Sequence, residues 1–378
     1  MQFIDLAAQQ VRIKEKIDAR IQAVLAHGKY IMGPEVKELE VQLAAWCGAK
    51  HAISCANGTD ALQLALMALG ARKGDAVFVP SFTFAATAEV VPCMGATPVL
   101  VDCDPRTYNM SPASLKRSIV HAKTLGLRPS IVIPVDLFGL PADYDAIAQI
   151  ADAEGLTIVS DSAQGWGSTI DGRMTGTFGR ITTTSFFPAK PLGCYGDGGA
   201  LFTDDDELAN VLQSMRVHGK GEEKYDNVRI GMNSRLDTLQ AGILLEKLAV
   251  YADEIDSRNR IAEYYTTALG EFLVTPYVPD GYQSIWAQYT LAAHSCHQRA
   301  VIMDGLQAVG VPSVIYYPKP LHQQSAYRSY PRDPHGLPVS TDVASRVFSL
   351  PMHPYLTQDQ IQFIVARLKS VIGQRCEQ

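Results

Sequence analysis

Between residues 51 and 161 the chain alternates between short apolar runs and amphipathic stretches, and that alternation leaves few folds open to it. HAISCA, DAVFVP, TPVLVDC, PSIVIPVDLF and LTIVSDSA are rich in Val, Ile and Leu without a polar face, as strands buried on both sides are. Between them TDALQLALMAL, FAATAEVVPCM, SPASLKRSIVHAK and DYDAIAQIADAEG carry apolar residues at helical spacing. The order predicts an α/β fold, a mostly parallel central sheet with helices on both faces.

Upstream, Ile13, Ile17, Ile21, Val24 and Leu25 predict a helix from Ala8 to about His27. Gly33 and Pro34 then open a second helix, which Gly48 ends. Downstream, a helix from about Asp204 to Val217 begins with the acidic run DDDE, which suits a helix N-terminus. The polar loop HGKGEEKYDNVRIGMN follows, and then a long helical stretch from about Leu236 to Leu269. Beyond it SIWAQYTLAA and VPSVIYY, with closing helices SRVFSL and QDQIQFIVARLKSVIG, predict a smaller α+β unit. A chain of 378 residues exceeds the usual single core. We expect residues 1–250 to form a large α/β domain with an N-terminal helical segment, and residues 251–378 a small C-terminal α+β domain.

Several function classes lose ground on composition. The net charge is -6 and the basic residues are scattered, which argues against nucleic acid or an anionic membrane as partner. Seven cysteines at irregular spacing, with no CxxC pair, suggest reduced thiols and neither a disulfide frame nor a metal site. MQFIDLAAQQ lacks the basic start of a secretion signal, and no apolar run approaches the ~18 residues of a membrane span. A cytoplasmic protein is expected.

In an open α/β sheet, ligands sit outside the carboxyl ends of the strands, so those ends are where chemistry is sought. After HAISCA, Gly58 permits close backbone approach, and Thr59 and Asp60 open a helix. That start is either a plain N-cap or a cup for a phosphate. No GKS or GKT follows and no GxGxxG follows any predicted strand, which disfavours P-loop and nicotinamide chemistry. After DAVFVP come Phe82 and Phe84, core residues or a flat partner for a ring. Asp161 is the first residue beyond LTIVS, where a buried carboxylate is either a structural cap or the partner of a cation.

Lys190 lies between Pro188 and Pro191, followed by Gly193, Gly196, Gly198 and Gly199. The prolines bar it from a helix interior or a central strand, so it sits on a stiff connector. Burial there lowers a lysine's pKa, and a neutral amine attacks carbonyls. A surface lysine in a Gly-rich turn is the alternative. Taken together, an amine, a phosphate cup, a rim aromatic and a buried carboxylate are what pyridoxal 5′-phosphate (PLP) requires.

At these residues the chain resembles the fold-type-I, PLP-dependent nucleotide-sugar aminotransferases of the DegT/DnrJ/EryC1/StrS family over essentially its whole length. The matching text is GKYIMGPEVKELE, NGTDAL, PSFTFAATA, VDLFG, DSAQGWGS, SFFPAKPLGCYGDGGA, RVHGK, NSRLDTLQA, YYPKPLH and SLPMHP. The resemblance implies that Lys190 is the Schiff-base lysine, Asp161 pairs with the pyridine nitrogen, Gln164 sits near the ring's 3-hydroxyl and Phe84 stacks on the ring. It also implies that Thr59, Asp60 and Ser185 hold the phosphate, with Asn233 of a neighbouring subunit completing the cup in a homodimer with composite sites. Relatives that dehydrate carry histidine in place of the lysine, so transamination is implied, from L-glutamate to a keto-sugar nucleotide.

Within the family the segment FFPAKPLGCYGDGGA and the loop YDNVRIGMNSRLDTLQA are most similar to enzymes that aminate C3 of UDP-2-acetamido-2-deoxy-3-oxo-glucuronate for bacterial surface polysaccharide such as O-antigen. For the uronate and diphosphate, the candidates are Arg229, His218 and Lys220, with Tyr317 and His322 of YYPKPLH. The same residues suit a solvated loop. A 4-keto-sugar or aminocyclitol aminotransferase, a dehydratase, and a non-enzymatic ligand-binding relative are the competing readings.

Overall fold

The computed structural model describes residues 1–223 and 225–373. Its centre is a seven-stranded sheet: β1 (His51–Cys55), β2 (Asp75–Pro80), β3 (Thr97–Val101), β4 (Arg128–Val132), β5 (Thr157–Asp161), β6 (Ile181–Ser185) and β7 (Gly199–Thr203), in the order β1-β7-β6-β5-β4-β2-β3. β3, β2, β4, β5 and β6 pair in parallel, and β7 runs antiparallel to both β6 and β1. The reversal of β7 brings the connection from β6 back to the edge of the sheet at which the parallel strands end.

Each strand's side chains serve two cores. In β2, Val77 and Val79 enter one cluster, while Ala76 and Phe78 enter another on the opposite face. The first face is covered by α3 (Gly58–Ala68), α4 (Ala86–Cys93) and α7 (Asp206–Met215), through Leu62, Leu66, Val90, Val91, Leu208 and Leu212. α5 (Pro112–Thr124) and α6 (Tyr144–Glu154) cover the second with Leu115, Ile119, Ile147 and Ile150. Burial on both faces explains why the strands read as unbroken apolar runs.

The helix starts follow local chemistry. Ser111, Asp143 and Asp205 cap α5, α6 and α7 through their side chains, and acidic residues occupy the first turn of α7. α1 (Leu6–His27) and α2 (Pro34–Cys47) precede the sheet; Val36, Leu39 and Leu43 of α2 pack with Ala200 and Phe202 of β7.

α8 (Thr238–Leu269) is a 32-residue helix that serves two cores in succession. Leu244, Leu248, Tyr251 and Ile255 pack with α2 and β7, whereas Ile261, Ala262, Tyr265 and Leu269 pack in the C-terminal cluster. That cluster holds β8 (Tyr289–Ala292) paired antiparallel to β9 (Val347–Leu350), with α9 (Cys296–Ala308) and α11 (Gln358–Gly373), and α10 (Pro338–Arg346) leads into β9.

Two expectations are corrected. SRVFSL is not a helix: Ser345 and Arg346 end α10, and Val347–Leu350 is a strand buried at every position. Ser349 bonds Thr290 across the pair at 2.8 Å, and a run buried on both sides carries no period from which helix or strand could be chosen. PSIVIPVDLF is not one strand either. β4 stops at Val132, because Pro134 has no N–H for the ladder, and the chain enters a short 3₁₀ turn at Leu137–Gly139. Among the described residues no helix is long and apolar enough to cross a membrane, and Cys376 lies outside them.

Candidate active site

The carboxyl ends of β1, β2, β4, β5 and β6 open onto one cavity of about 480 Å³. Gly58, Thr59, Phe84, Asp161, Gln164, Ser185, Lys190 and Tyr317 all line it.

Lys190 is presented by a turn. β6 ends at Ser185, and the Lys190 N–H donates to the Phe187 carbonyl at 2.8 Å, closing a turn with Pro188 at its second position. Burial pushes the amine's pKa down, and the carboxylate of Asp161 opposes that shift. Asp161 is the last residue of β5 and is 4% exposed. Burial raises its pKa, while a hydrogen bond from Thr87 Oγ1 to Oδ2 at 2.8 Å and one from the Ala163 N–H to Oδ1 at 3.2 Å favour the charged form. Asp161 forms no ion pair among the described residues, so a buried acid faces the cavity with two donors and capacity for a cation.

Opposite Lys190 the cavity is floored by the start of α3. Asn57, and neither Thr59 nor Asp60, is the cap: its side chain accepts from the Asp60 N–H at 2.8 Å. The N–H groups of Gly58 and Thr59 make no hydrogen bond among the described residues and lie at the positive end of the helix dipole. Two glycines permit this approach. A Cβ on Gly58 would sit 2.7 Å from Ser185 Cβ, and one on Gly199 would sit 2.5 Å from the Asn57 carbonyl. Helix start, Ser185 and Thr59 together form an anion cradle.

The walls are aromatic and amide groups. Phe84 is 56% exposed at the mouth, with its ring centroid 6.2 Å from that of Tyr317. Gln164 is fixed at both ends of its amide: Oε1 accepts from the Phe138 N–H at 2.9 Å, and Nε2 donates to the Tyr317 hydroxyl at 3.0 Å.

Other candidates lie elsewhere. Asp60 is in the first turn of α3 but does not line the cavity. His322 does not line it either: Nδ1 is 2.7 Å from Ser81 Oγ and Nε2 is 3.1 Å from Thr341 Oγ1, so the ring ties the turn at Leu321–Gln323 to the end of β2. His218, Lys220, Arg229 and Asn233 belong to an arm between Val217 and Ser234, and none of the four lines this chain's own cavity. Backbone bridges Val217 to Asn233 and Lys220 to Asn227 hold its two limbs together, and a Cβ on Gly219 would strike the Arg229 carbonyl. Arg216 anchors the arm's root, bonded to Glu40 and to the Ser54 carbonyl at 2.7 Å.

Residues that sequence reasoning missed include Thr87, Ile4, Gln288 and Asp136. Thr87 is the one hydroxyl in the largely apolar segment FAATAEVV, and that position beside a strand end was a usable signal. Ile4 reaches the cavity from the chain's start, and no local pattern marks it. Asp136 lies behind the site: its carboxylate accepts from Tyr144 Oη at 2.8 Å, the Ala142 N–H at 3.0 Å and Ser162, and burial pushes its pKa up to about 7.

Comparison with known proteins gives a consistent result. Residues 11–369 match the DegT/DnrJ/EryC1/StrS aminotransferase family. The chain is 48% identical over 369 residues, 97% of its length and 99% of the relative's, to a UDP-2-acetamido-2-deoxy-3-oxo-D-glucuronate aminotransferase of Pseudomonas aeruginosa. A crystal structure of a DegT DnrJ EryC1 StrS aminotransferase from Brucella abortus superposes with a TM-score of 0.97 at 54% identity, covering 99% of this chain and 100% of that one. The NtdA protein of Bacillus subtilis, with bound cofactor PMP, superposes with a TM-score of 0.88 at 29% identity, covering 99% of this chain and 85% of that one.

Proposed function

Because this chain belongs to the DegT/DnrJ/EryC1/StrS aminotransferase family, we propose that it moves the amino group of L-glutamate to a keto-sugar nucleotide, with UDP-2-acetamido-2-deoxy-3-oxo-glucuronate as acceptor. The observation that carries the reaction is the sharing of one cavity by the Lys190 amine, the Asp161 carboxylate and the open start of α3. The acceptor rests on the full-length similarity to the Pseudomonas aeruginosa enzyme.

Pyridoxal 5′-phosphate is the cofactor, and the residues present fit it. The unengaged N–H groups of Gly58 and Thr59, with the Thr59 and Ser185 hydroxyls, suit its phosphate. Asp161, buried and without an ion pair among the described residues, suits a protonated ring nitrogen. Gln164 suits the ring hydroxyl, and Phe84 a ring face. When bound, this group supplies a carbonyl carbon for the donor's nitrogen and an electron-withdrawing ring.

The chain's own residues supply the rest. Lys190, its pKa lowered by burial, offers a neutral Nζ that takes the proton from the donor's α-carbon and returns one to the acceptor's amine-bearing carbon in the reverse half. Thr87 and the Ala163 N–H favour the ionised form of Asp161, which would hold the ring nitrogen of the bound group protonated. Tyr317 fixes the Gln164 amide and narrows the cavity beside Phe84.

The acceptor's carboxylate and diphosphate need cations. We assign these to Arg229, His218 and Lys220, delivered with Asn233 from the arm of a second copy in a homodimer. Exposure of Val228 (53%) and Ile230 (84%) on that arm supports a partner surface. A cytoplasmic location suits nucleotide-sugar and glutamate substrates.

The test is direct. The purified protein should absorb in the visible, lose that band on adding glutamate, and aminate UDP-2-acetamido-2-deoxy-3-oxo-glucuronate in a panel of UDP-, dTDP- and GDP-keto-sugars. Full turnover by Lys190→Ala would overturn the reaction, and activity on dTDP-4-keto-6-deoxyglucose alone would overturn the acceptor.

A further inference from the structure

Lys247 lies in α8, is 1% exposed, and projects into the apolar cluster that holds Leu192, Cys194, Leu244 and Leu248. It forms no ion pair among the described residues. The acid nearest in charge terms, Glu254, is already engaged by Gln9 at 2.9 Å and by Tyr355. Burying an unpaired ammonium is costly, and a methionine of similar length would fill the same space without that penalty. Its presence is therefore to be explained by what it holds.

Nζ donates to the Gly193 carbonyl at 2.6 Å and lies 4.5 Å from the centre of the Tyr195 ring. Both partners belong to the connection between β6 and β7 that carries Lys190. Gly193 presses directly on that turn: a Cβ there would lie 2.5 Å from the Phe187 carbonyl and 2.6 Å from that of Pro188. Phe187 is also the residue whose carbonyl closes the turn onto Lys190. Gly193 is therefore packed against the backbone of the turn that presents Lys190.

A second tether comes from the same helix face. Gln240, seven residues and about two turns earlier, accepts the Tyr195 N–H at 2.8 Å through Oε1. α8 therefore grips the loop at Gly193 and at Tyr195, on either side of Cys194, whose own N–H is spent on the Phe186 carbonyl at 2.8 Å.

We propose that Lys247 is a positioning residue for the transamination, and that with Gln240 it clamps the Lys190 loop to α8. The inference rests on Lys190 being the reactive amine. Burial lowers the pKa of Lys247 to about 8, so the protein holds this ammonium at a real cost.

The experiment compares Lys247→Met, Lys247→Arg and Gln240→Ala with the parent holoenzyme and with the cofactor-free chain. Lys247→Met should keep the fold and bind cofactor but lose about 10- to 100-fold in kcat, with KM for glutamate changed less than about twofold. The pH midpoint of its visible band should shift. In the cofactor-free chain, amide exchange of Cys194 and Tyr195 should accelerate at least about tenfold. Lys247→Arg, which keeps a donor, should recover part of each effect, and Gln240→Ala should reproduce them more weakly. If Lys247→Met does not fold, Gln240→Ala alone decides. Parental kcat with unchanged exchange overturns the clamp, as does loss of cofactor content and turnover in equal proportion. A Lys190→Ala enzyme with full turnover overturns the underlying reading, an outcome separable from either.

Discussion

Thr87 Oγ1 donates to Asp161 Oδ2 at 2.8 Å, so the charged form of this buried carboxylate at the cavity is favoured from the first turn of α4. When Lys190 is protonated its ammonium works in the same direction, lowering the Asp161 pKa against burial.

Asp161→Asn should therefore cut turnover at least about 100-fold while cofactor still binds, because the compensating charge is lost and the shape is kept. Thr87→Val should cost less, about tenfold, and it should move the acidic limb of the pH–rate profile upward, since losing a donor to the anion favours the protonated acid. Steady-state kinetics across pH separate the two.

Gly58→Ala should weaken cofactor binding at least about tenfold. The added methyl meets Ser185 Cβ at 2.7 Å, and neither atom lies on a flexible side chain, so the start of α3 must retreat from β6. Alanine is the better helix former by about 1 kcal/mol, so lost helix propensity cannot explain the effect. Titrating the cofactor-free protein with pyridoxal phosphate gives the dissociation constant.

The arm from Val217 to Ser234 should act across subunits. Lys190→Ala and Arg229→Ala chains, each inactive alone, should regain up to about one quarter of parental activity when co-refolded, because half the dimers are mixed and each mixed dimer has one intact site. No recovery would mean that the arm serves its own chain.

Acid should weaken the fold through His353. Its ring is buried, Nδ1 has no hydrogen-bond partner among the described residues, and burial lowers its pKa to about 4. Between about pH 6.5 and 4 the unfolded chain binds a proton that the folded chain does not, so stability falls as pH falls through that window. His353→Gln should flatten this part of the thermal-midpoint profile by a few degrees relative to the parent, measured by calorimetry.

Much of the fold was legible because the central strands are short, apolar and separated by helices with clear periods. The turn of Lys190 was legible for a related reason: two prolines and four glycines leave a chain few conformations. What stayed hidden depended on distance in sequence. Asn57 as the cap of α3, where Thr59 and Asp60 were the candidates, turns on which side chain accepts from the N–H three residues ahead, and composition is silent on that. Ile4 and Tyr316, more than 300 positions apart in the sequence, line the same cavity only after the whole chain has folded. The ties of His322 in YYPKPLH to Ser81 and Thr341 were hidden likewise, because those residues are adjacent to it only in space.

The helix α8 passes without a break from the core beneath Lys190 to the C-terminal core. A hinge works by concentrating rotation in a few residues whose backbone dihedrals are free to change, and an uninterrupted helix offers none. Opening the enzyme at residue 250, within α8, would mean snapping consecutive main-chain hydrogen bonds. Access to the cavity is left to the exposed rim at Phe84. The two cores behave as one frame, and the opening lies at its edge.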